Sequence, residues 1–211
     1  MGLYSRHIFP RFMEWVMAGE EFHRLRKELL APVHGEVLEL GIGTGLNLPH
    51  YPKTVTWLHA VDPANLLPRI VMGRGASRSF PIRIHRVTAE SLPYENRSFD
   101  FVVSTWTLCT IPDPVRALRE VGRVFKPEGI LQFLEHGRSD DQTIATWQDR
   151  LNPIQQIIGC GCNLNRRIDQ LIQQAGLKIM NFERFQMESV PRLGGEMYRG
   201  TATTLSSNPS G

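Results

Sequence analysis

The sequence predicts an α/β fold: a doubly wound sheet of seven strands, mostly parallel with an antiparallel last strand, and helices on both faces. Three observations carry this. Short apolar runs alternate with helical stretches along most of the chain, the pattern of parallel strands joined by crossover helices. A glycine-rich loop directly follows the first apolar run, at the position where such sheets bind nucleotides. An acidic residue, Asp62, closes the second run 19 residues after Gly43.

The strands are read at Glu36–Leu40, Thr56–Val61, Pro81–Val87, Phe99–Ser104, Gly129–Leu134, Leu177–Phe185 and Glu196–Thr203, the last as a hairpin partner of the sixth. Helices are expected at Ala64–Gly75, Pro114–Phe125, Asp141–Ile158 and Arg166–Ala175, with Gly176 stopping the last. Before the first strand, residues from about Tyr4 to Leu30 read as helical. Ile8, Phe12, Trp15, Val16, Phe22, Leu25, Leu29 and Leu30 recur between charges, and Pro10 and Gly19 suggest a break. Small polar residues end the chain, so 206–211 are expected to fray.

A chain of 211 residues is long enough for one domain with a real core and short for two. The reading is a single domain over 1–211: an N-terminal helical lid (1–35), a ligand-binding core (36–135), an acceptor-side part (136–205) and the tail. The formal charge of +3 is small and gives no footprint for nucleic acid, so no nucleic-acid partner is expected. Cys109, Cys160 and Cys162 are too few and odd in number for a disulfide framework. The Cys-x-Cys spacing of the last two shows no further ligands nearby in sequence, so no metal is expected. No apolar run is long enough to span a bilayer, and Arg6, Arg11 and Glu14 interrupt the start. The chain is read as cytoplasmic. Its amphipathic N-terminal stretch leaves peripheral membrane contact open, and nothing indicates the oligomeric state.

The glycine loop is the most informative segment. In Glu39-Leu40-Gly41-Ile42-Gly43-Thr44-Gly45 the third glycine comes one residue too early for a dinucleotide loop, and Leu46 fills that position. Glu39 would repel a pyrophosphate but attract the ammonium of an amino-acid-bearing nucleoside. Asp62 can accept hydrogen bonds from both ribose hydroxyls. The loop therefore favours a cofactor with an ammonium and no phosphate over NAD.

These residues resemble the class I S-adenosylmethionine-dependent methyltransferases, in their type 11 group, from about Val37 to Glu135. Beyond the loop and Asp62-Pro63, the resemblance runs through Ala89-Glu90-Ser91-Leu92-Pro93-Tyr94, Ser98-Phe99-Asp100 and the helix and turn from Ala117 to Gly129. It implies a Rossmann-like sheet and S-adenosylmethionine as cofactor. By this resemblance Glu39, Gly41, Gly43 and Gly45 frame the methionine moiety, with Asn47 counted among the cofactor residues. Asp62 and Pro63 take the ribose, Ala89 and Glu90 border the adenine, and Thr105 and Trp106 lie near the sulfonium. Thr88 stands where the family often has Asp, and Pro127-Glu128-Gly129 replaces a Pro-Gly-Gly turn. A narrower resemblance joins Leu108-Cys109, Phe133-Leu134-Glu135-His136-Gly137, Trp147, Leu151-Asn152-Pro153 and Gly161-Cys162-Asn163-Leu164-Asn165-Arg166 to a bacterial group similar to the mammalian alkyl-thiol methyltransferases. It implies a small, hydrophobic acceptor, with a thiol in view. Lipid amines and quinone precursors are methylated by related sequences, and a cofactor-binding protein without turnover stays open.

Methyl transfer needs alignment and exclusion of water more than acid–base help. For an acceptor that does need a base, His136 and Glu135 at the end of the fifth strand are the candidates. Both equally suit a structural role. Phe12 and Trp15, with other N-terminal aromatics, are expected to close over the acceptor. Asn163 and Arg166 either roof its pocket or cap a helix. Cys109 is counted on the acceptor side, although a small core residue is the simpler role.

Overall fold

The computed structural model describes Tyr4, residues 8–64 and residues 67–205. The tail expected at 206–211, and the parts of the first and third helical stretches at 5–7 and 65–66, lie outside the described residues. Seven strands form one sheet: β1 (Gly35–Leu40), β2 (Val55–Val61), β3 (Ile82–His85), β4 (Phe99–Thr105), β5 (Phe125–His136), β6 (Leu177–Gln186) and β7 (Glu196–Thr204). The helices are α1 (Phe9–Met17), α2 (Glu20–Leu30), α3 (Pro68–Ala76), α4 (Pro114–Val124), α5 (Gln142–Ile158) and α6 (Ile168–Gln174). The strand order is β3-β2-β1-β4-β5-β7-β6. Strands β1 to β5 pair in parallel, and β7 runs antiparallel to both β5 and β6. The predicted sheet, with its antiparallel last strand, is the one observed.

The central strands read as continuous apolar runs because both their faces are buried. Leu38 and Leu40 of β1 and Val102 of β4 pack with Leu118 and Val121 of α4 and Ile168 of α6. The alternate residues Val37, Phe101 and Val103 pack with Leu30, at the end of α2, and Val71 of α3 on the other face. Two helix starts follow from local chemistry. Asp113 accepts from Arg116 N at 3.0 Å, and Pro114 stands where no N–H is needed. Asp141 accepts from Thr143 N at 2.9 Å to begin α5.

Several element boundaries differ from expectation: α3 starts at Pro68, not Ala64, α6 at Ile168, not Arg166, and β3 ends at His85, not Val87. Pro10 does not break the first helix; it occupies the first turn of α1, where its missing N–H has no intrahelical partner to lose. The break falls at Gly19, which precedes α2. Strand β5 starts at Phe125, not Gly129. Phe99 pairs with Phe125 and Phe101 with Ile130, so Pro127-Glu128-Gly129 is a bulge inside the strand, with Glu128 at φ 70°. Among the described residues no helix is long and apolar enough to cross a membrane.

Candidate active site

The carboxyl ends of β1 and β4 meet beneath α1. Leu40 ends β1 and the backbone turns sharply at Gly41, whose φ is +68°. A Cβ there would lie 2.5 Å from Thr107 Cγ2, so the loop can pass under β4 only with glycine. Gly43, at φ +53°, is different: a Cβ there would meet nothing nearer than 4.0 Å, so its open side faces the cavity. Asp62, at the end of β2, accepts from Gly43 N at 2.8 Å and from Ala64 N at 2.8 Å, tying the loop to the second strand. Burial raises the pKa of this carboxyl.

Glu39 points to the cavity side of β1 and is buried. Its two oxygens accept from Asn47 Nδ2 and from Tyr51 Oη, each at 2.9 Å. Burial is the main cause of a pKa pushed up to about 7, opposed by those hydrogen bonds and by Arg26. Asn47 Nδ2 also reaches Thr105 Oγ1 at 2.9 Å, while Asn47 Oδ1 is buried without a partner. Thus Glu39, Gly41, Gly43, Asn47, Thr105 and Trp106 line one cavity of about 130 Å³. Gly45 lies in the same loop, where it gives room to Leu48.

Trp106 adopts a left-handed backbone, φ +48°, unusual for a bulky residue. Three bonds hold that turn. Trp106 N donates to Leu134 O at 2.9 Å, and Glu135 Oε2 accepts from Thr107 N at 2.8 Å and Leu108 N at 3.1 Å. The remaining Glu135 oxygen accepts from Ser104 Oγ at 2.7 Å. Glu135 is wholly buried, with its pKa raised to about 7 by burial. Its carboxylate is engaged by this turn through three bonds, which places it in the structural one of its two expected roles in this structure.

The other expected catalytic residue is also directed elsewhere. His136 Nε2 lies 3.2 Å from Cys162 Sγ, outside the cavity under α1, and His136 Nδ1 is buried without a partner. Cys109 joins the same cluster, with its Sγ also 3.7 Å from Trp106 O. Hydrogen bonding to the Cys109 thiol, then to the His136 imidazole, lowers the pKa of Cys162 against the opposing effect of its burial. Cys109 is therefore one of three neighbouring ligand-type side chains, and not simply a core residue.

Among the described residues, Asn163 and Arg166 line neither the cavity under α1 nor the cleft beside α2, and α6 has no side-chain cap. Asn163 Nδ2 donates to Cys109 O at 2.9 Å, and Arg166 Nη1 donates to Leu108 O and, at 2.7 Å, to Ile111 O. They latch the loop after β4 to the segment between α5 and α6. Ala89 packs in the core, while Glu90 accepts from Asp113 N at 3.3 Å and Pro63 is exposed. These three do not line the cavity under the lid.

Helix α1 presents to the cavity the face opposite to the one expected. Phe9, Pro10, Met13, Glu14 and Met17 line the cavity, whereas Phe12 and Trp15 are 54% and 77% exposed. Helical spacing explains it: 9, 13 and 17 share one stripe, and 12 and 15 fall on another. Glu14 pairs with Arg74 of α3, which also donates to Thr44 O at 2.7 Å.

One cavity residue escaped the sequence reading. Arg26 of α2 is 2% exposed, lies 4.7 Å from the Trp106 ring centre and donates to Met17 O at 2.9 Å, while its Nε has no partner. Burial presses its pKa down to about 10 against the pull of Glu39 and Glu14, so it stays cationic at neutral pH. The available signal was a basic residue set at i+4 from Phe22 and i−4 from Leu30, inside an apolar stripe. A larger open cleft of about 440 Å³ lies between α2 and strands β5–β7, but none of the expected site residues lines it.

This chain is similar to known proteins. A family described as "Methyltransferase domain" matches residues 38–133. Thiol S-methyltransferase TMT1B of Mus musculus is 30% identical over 205 residues, covering 87% of this chain and 78% of the relative. Thiol S-methyltransferase TMT1A of Homo sapiens is 28% identical over 203 residues, covering 88% and 83%. The crystal structure of a SAM-dependent methyltransferase from Thermotoga maritima superposes with a TM-score of 0.65 at 21% identity, covering 94% of this chain and 99% of that one.

Proposed function

Because the chain belongs to the class I S-adenosylmethionine-dependent methyltransferases, we propose that it methylates a small hydrophobic thiol. S-adenosylmethionine, when bound, supplies a methyl group on a cationic sulfur and leaves as a neutral thioether. The chain must therefore align the acceptor and keep water out.

The residues fit that donor. Glu39 and the unpartnered Asn47 Oδ1 are acceptors for an ammonium, and the free Nε of Arg26 is a donor for the methionine carboxylate. Gly43 keeps the approach open, and Asp62 retains lone pairs for ribose hydroxyls beyond its two backbone bonds. Trp106, Phe9, Met13 and Met17 give an apolar wall that suits an apolar acceptor and excludes water.

One observation carries the acceptor class. Among the described residues lining this cavity, the ionisable side chains are Glu14, Arg26 and Glu39, and none is a free base. Glu14 pairs with Arg74, Glu39 is held by Asn47 and Tyr51, and Arg26 is a cation. No lining histidine is present to take a proton. An alcohol or unactivated carbon needs such a base, whereas a thiol already holds about a few per cent of thiolate at pH 7, and that thiolate is a strong nucleophile. The similarity to two thiol S-methyltransferases supports the same reading.

The test is formation of S-adenosylhomocysteine with alkyl thiols, amines and quinols offered in parallel. The expected result is turnover of the thiols, with kcat/KM following the thiolate fraction of each. Turnover confined to amines or quinols, or none with any acceptor, would refute the thiol assignment.

A further inference from the structure

The geometry points to a binding site for a thiophilic divalent cation of the zinc class at Cys109, His136 and Cys162, and we propose that the chain binds such an ion there. The three residues come from the loop after β4, the end of β5 and the loop between α5 and α6, so no sequence spacing announces them. Their ligand atoms all lie within 4.8 Å of one another. Zinc–sulfur bonds of about 2.3 Å and zinc–nitrogen bonds of about 2.0 Å require tetrahedral edges of roughly 3.5–3.8 Å. The 3.2 Å separation of His136 Nε2 from Cys162 Sγ opens to that edge with a shift of a few tenths of an ångström.

The donors are also held in place. His136 sits in the sheet opposite Met197. The chain turns through two left-handed residues, Cys160 at φ 51° and Gly161 at φ 98°, to bring Cys162 back toward β5. Asn163 N and Nδ2 both donate to Cys109 O, at 3.0 and 2.9 Å, so the two cysteine-bearing loops are joined backbone to backbone. Two thiolates and an imidazole form a soft donor set that selects zinc over magnesium or calcium. Cys162 is half-buried, which gives the ion an entry path. A fourth position is left for water or an incoming ligand, and binding releases the thiol protons to solvent. This assignment does not depend on the acceptor proposed above.

The test uses the 211-residue chain, reduced, stripped with a chelator and titrated with Co²⁺ under nitrogen. The expected result is one Co²⁺ per chain with thiolate-to-metal absorption and the strong visible bands of a four-coordinate ion, displaced by Zn²⁺. Cys109→Ser and Cys162→Ser should each weaken binding on the order of 100-fold or more, while Cys160→Ser should leave it intact. Absence of the absorption in the unsubstituted chain overturns the proposal, whether or not a variant folds. Persistence in a folded Cys162→Ser protein, or dependence on Cys160, overturns it too. Circular dichroism and S-adenosylhomocysteine calorimetry on each variant separate lost ligation from lost fold.

Discussion

Glu14 of α1 reaches across the glycine loop to Arg74 of α3, with Oε2 3.2 Å from Nη1. The pair fastens α1 to the body of the domain, and Arg74 adds a bond to the carbonyl of Thr44 in the loop itself. The cavity beneath is about 130 Å³, well below the roughly 300–1,000 Å³ of clefts that enclose drug-sized ligands. Helix α1 forms one wall of this cavity, and we expect it to shift as a nucleoside cofactor enters. Glu14→Gln should speed S-adenosylhomocysteine release by about three- to tenfold, since a partly buried ion pair is worth about 1 kcal/mol. Stopped-flow tryptophan fluorescence measures this. An unchanged release rate would mean the pair is not the latch.

Arg26 has a buried charge and a free donor on the wall of the same cavity. Arg26→Met keeps the apolar stem and removes the charge. Affinity for S-adenosylhomocysteine should fall by about 10- to 100-fold, the loss of one charge-assisted hydrogen bond. Calorimetry against a ligand lacking the carboxylate provides the control: that ligand should bind both proteins alike.

Glu39 sets a pH dependence whose sign is definite. Its pKa stands near 7 before the cofactor binds, and an ammonium favours the carboxylate, so binding expels a proton below that pH. Affinity should rise by up to about tenfold per pH unit below 7 and level off above it. In the unliganded protein the same residue acts oppositely on stability. The folded chain holds a proton that the unfolded chain releases between the ordinary carboxyl value of 4.5 and about 7, so its contribution is lost as pH rises through that window. Calorimetry from pH 5.5 to 8.5 on the wild type and Glu39→Gln separates the two, because the variant should show a flat profile and weaker binding.

Glu135 holds the strained turn at Trp106 through three hydrogen bonds. Glu135→Gln presents an amide N–H to backbone donors and should cost about 2–3 kcal/mol in urea unfolding. Activity should fall with loss of the turn, and its pH profile should keep its shape. A stable Glu135→Gln protein with an altered pH profile would return the residue to acid–base chemistry.

The sheet, its order of elements and the cofactor loop were legible because they rest on local rules. Apolar runs buried on both faces, glycine after a strand and an acid after the next strand each leave a mark within a few residues. The far side of the site was not legible. Glu135 and His136 stand side by side in the sequence, yet alternate directions along β5 send one to the turn at Trp106 and the other to Cys162. The role of Phe12 and Trp15 was misread because hydrophobicity tells that a helix has a face, not which cavity that face meets. Arg26 was missed for the reverse reason, as its charge hid a position that packing makes part of the wall.

The place of β7 has a bearing on how the protein is made. It lies between β5 and β6 in the sheet, although the ribosome delivers it after both. Strand β6 therefore emerges with no neighbour to bond, and its ladder to β7 awaits synthesis of residues 196–204. During that interval the half-finished chain exposes the edge of β5, a template for pairing with another molecule. A stall in translation just after β6 should leave an aggregation-prone product, whereas release after Thr204 completes β7 and seals the edge from within.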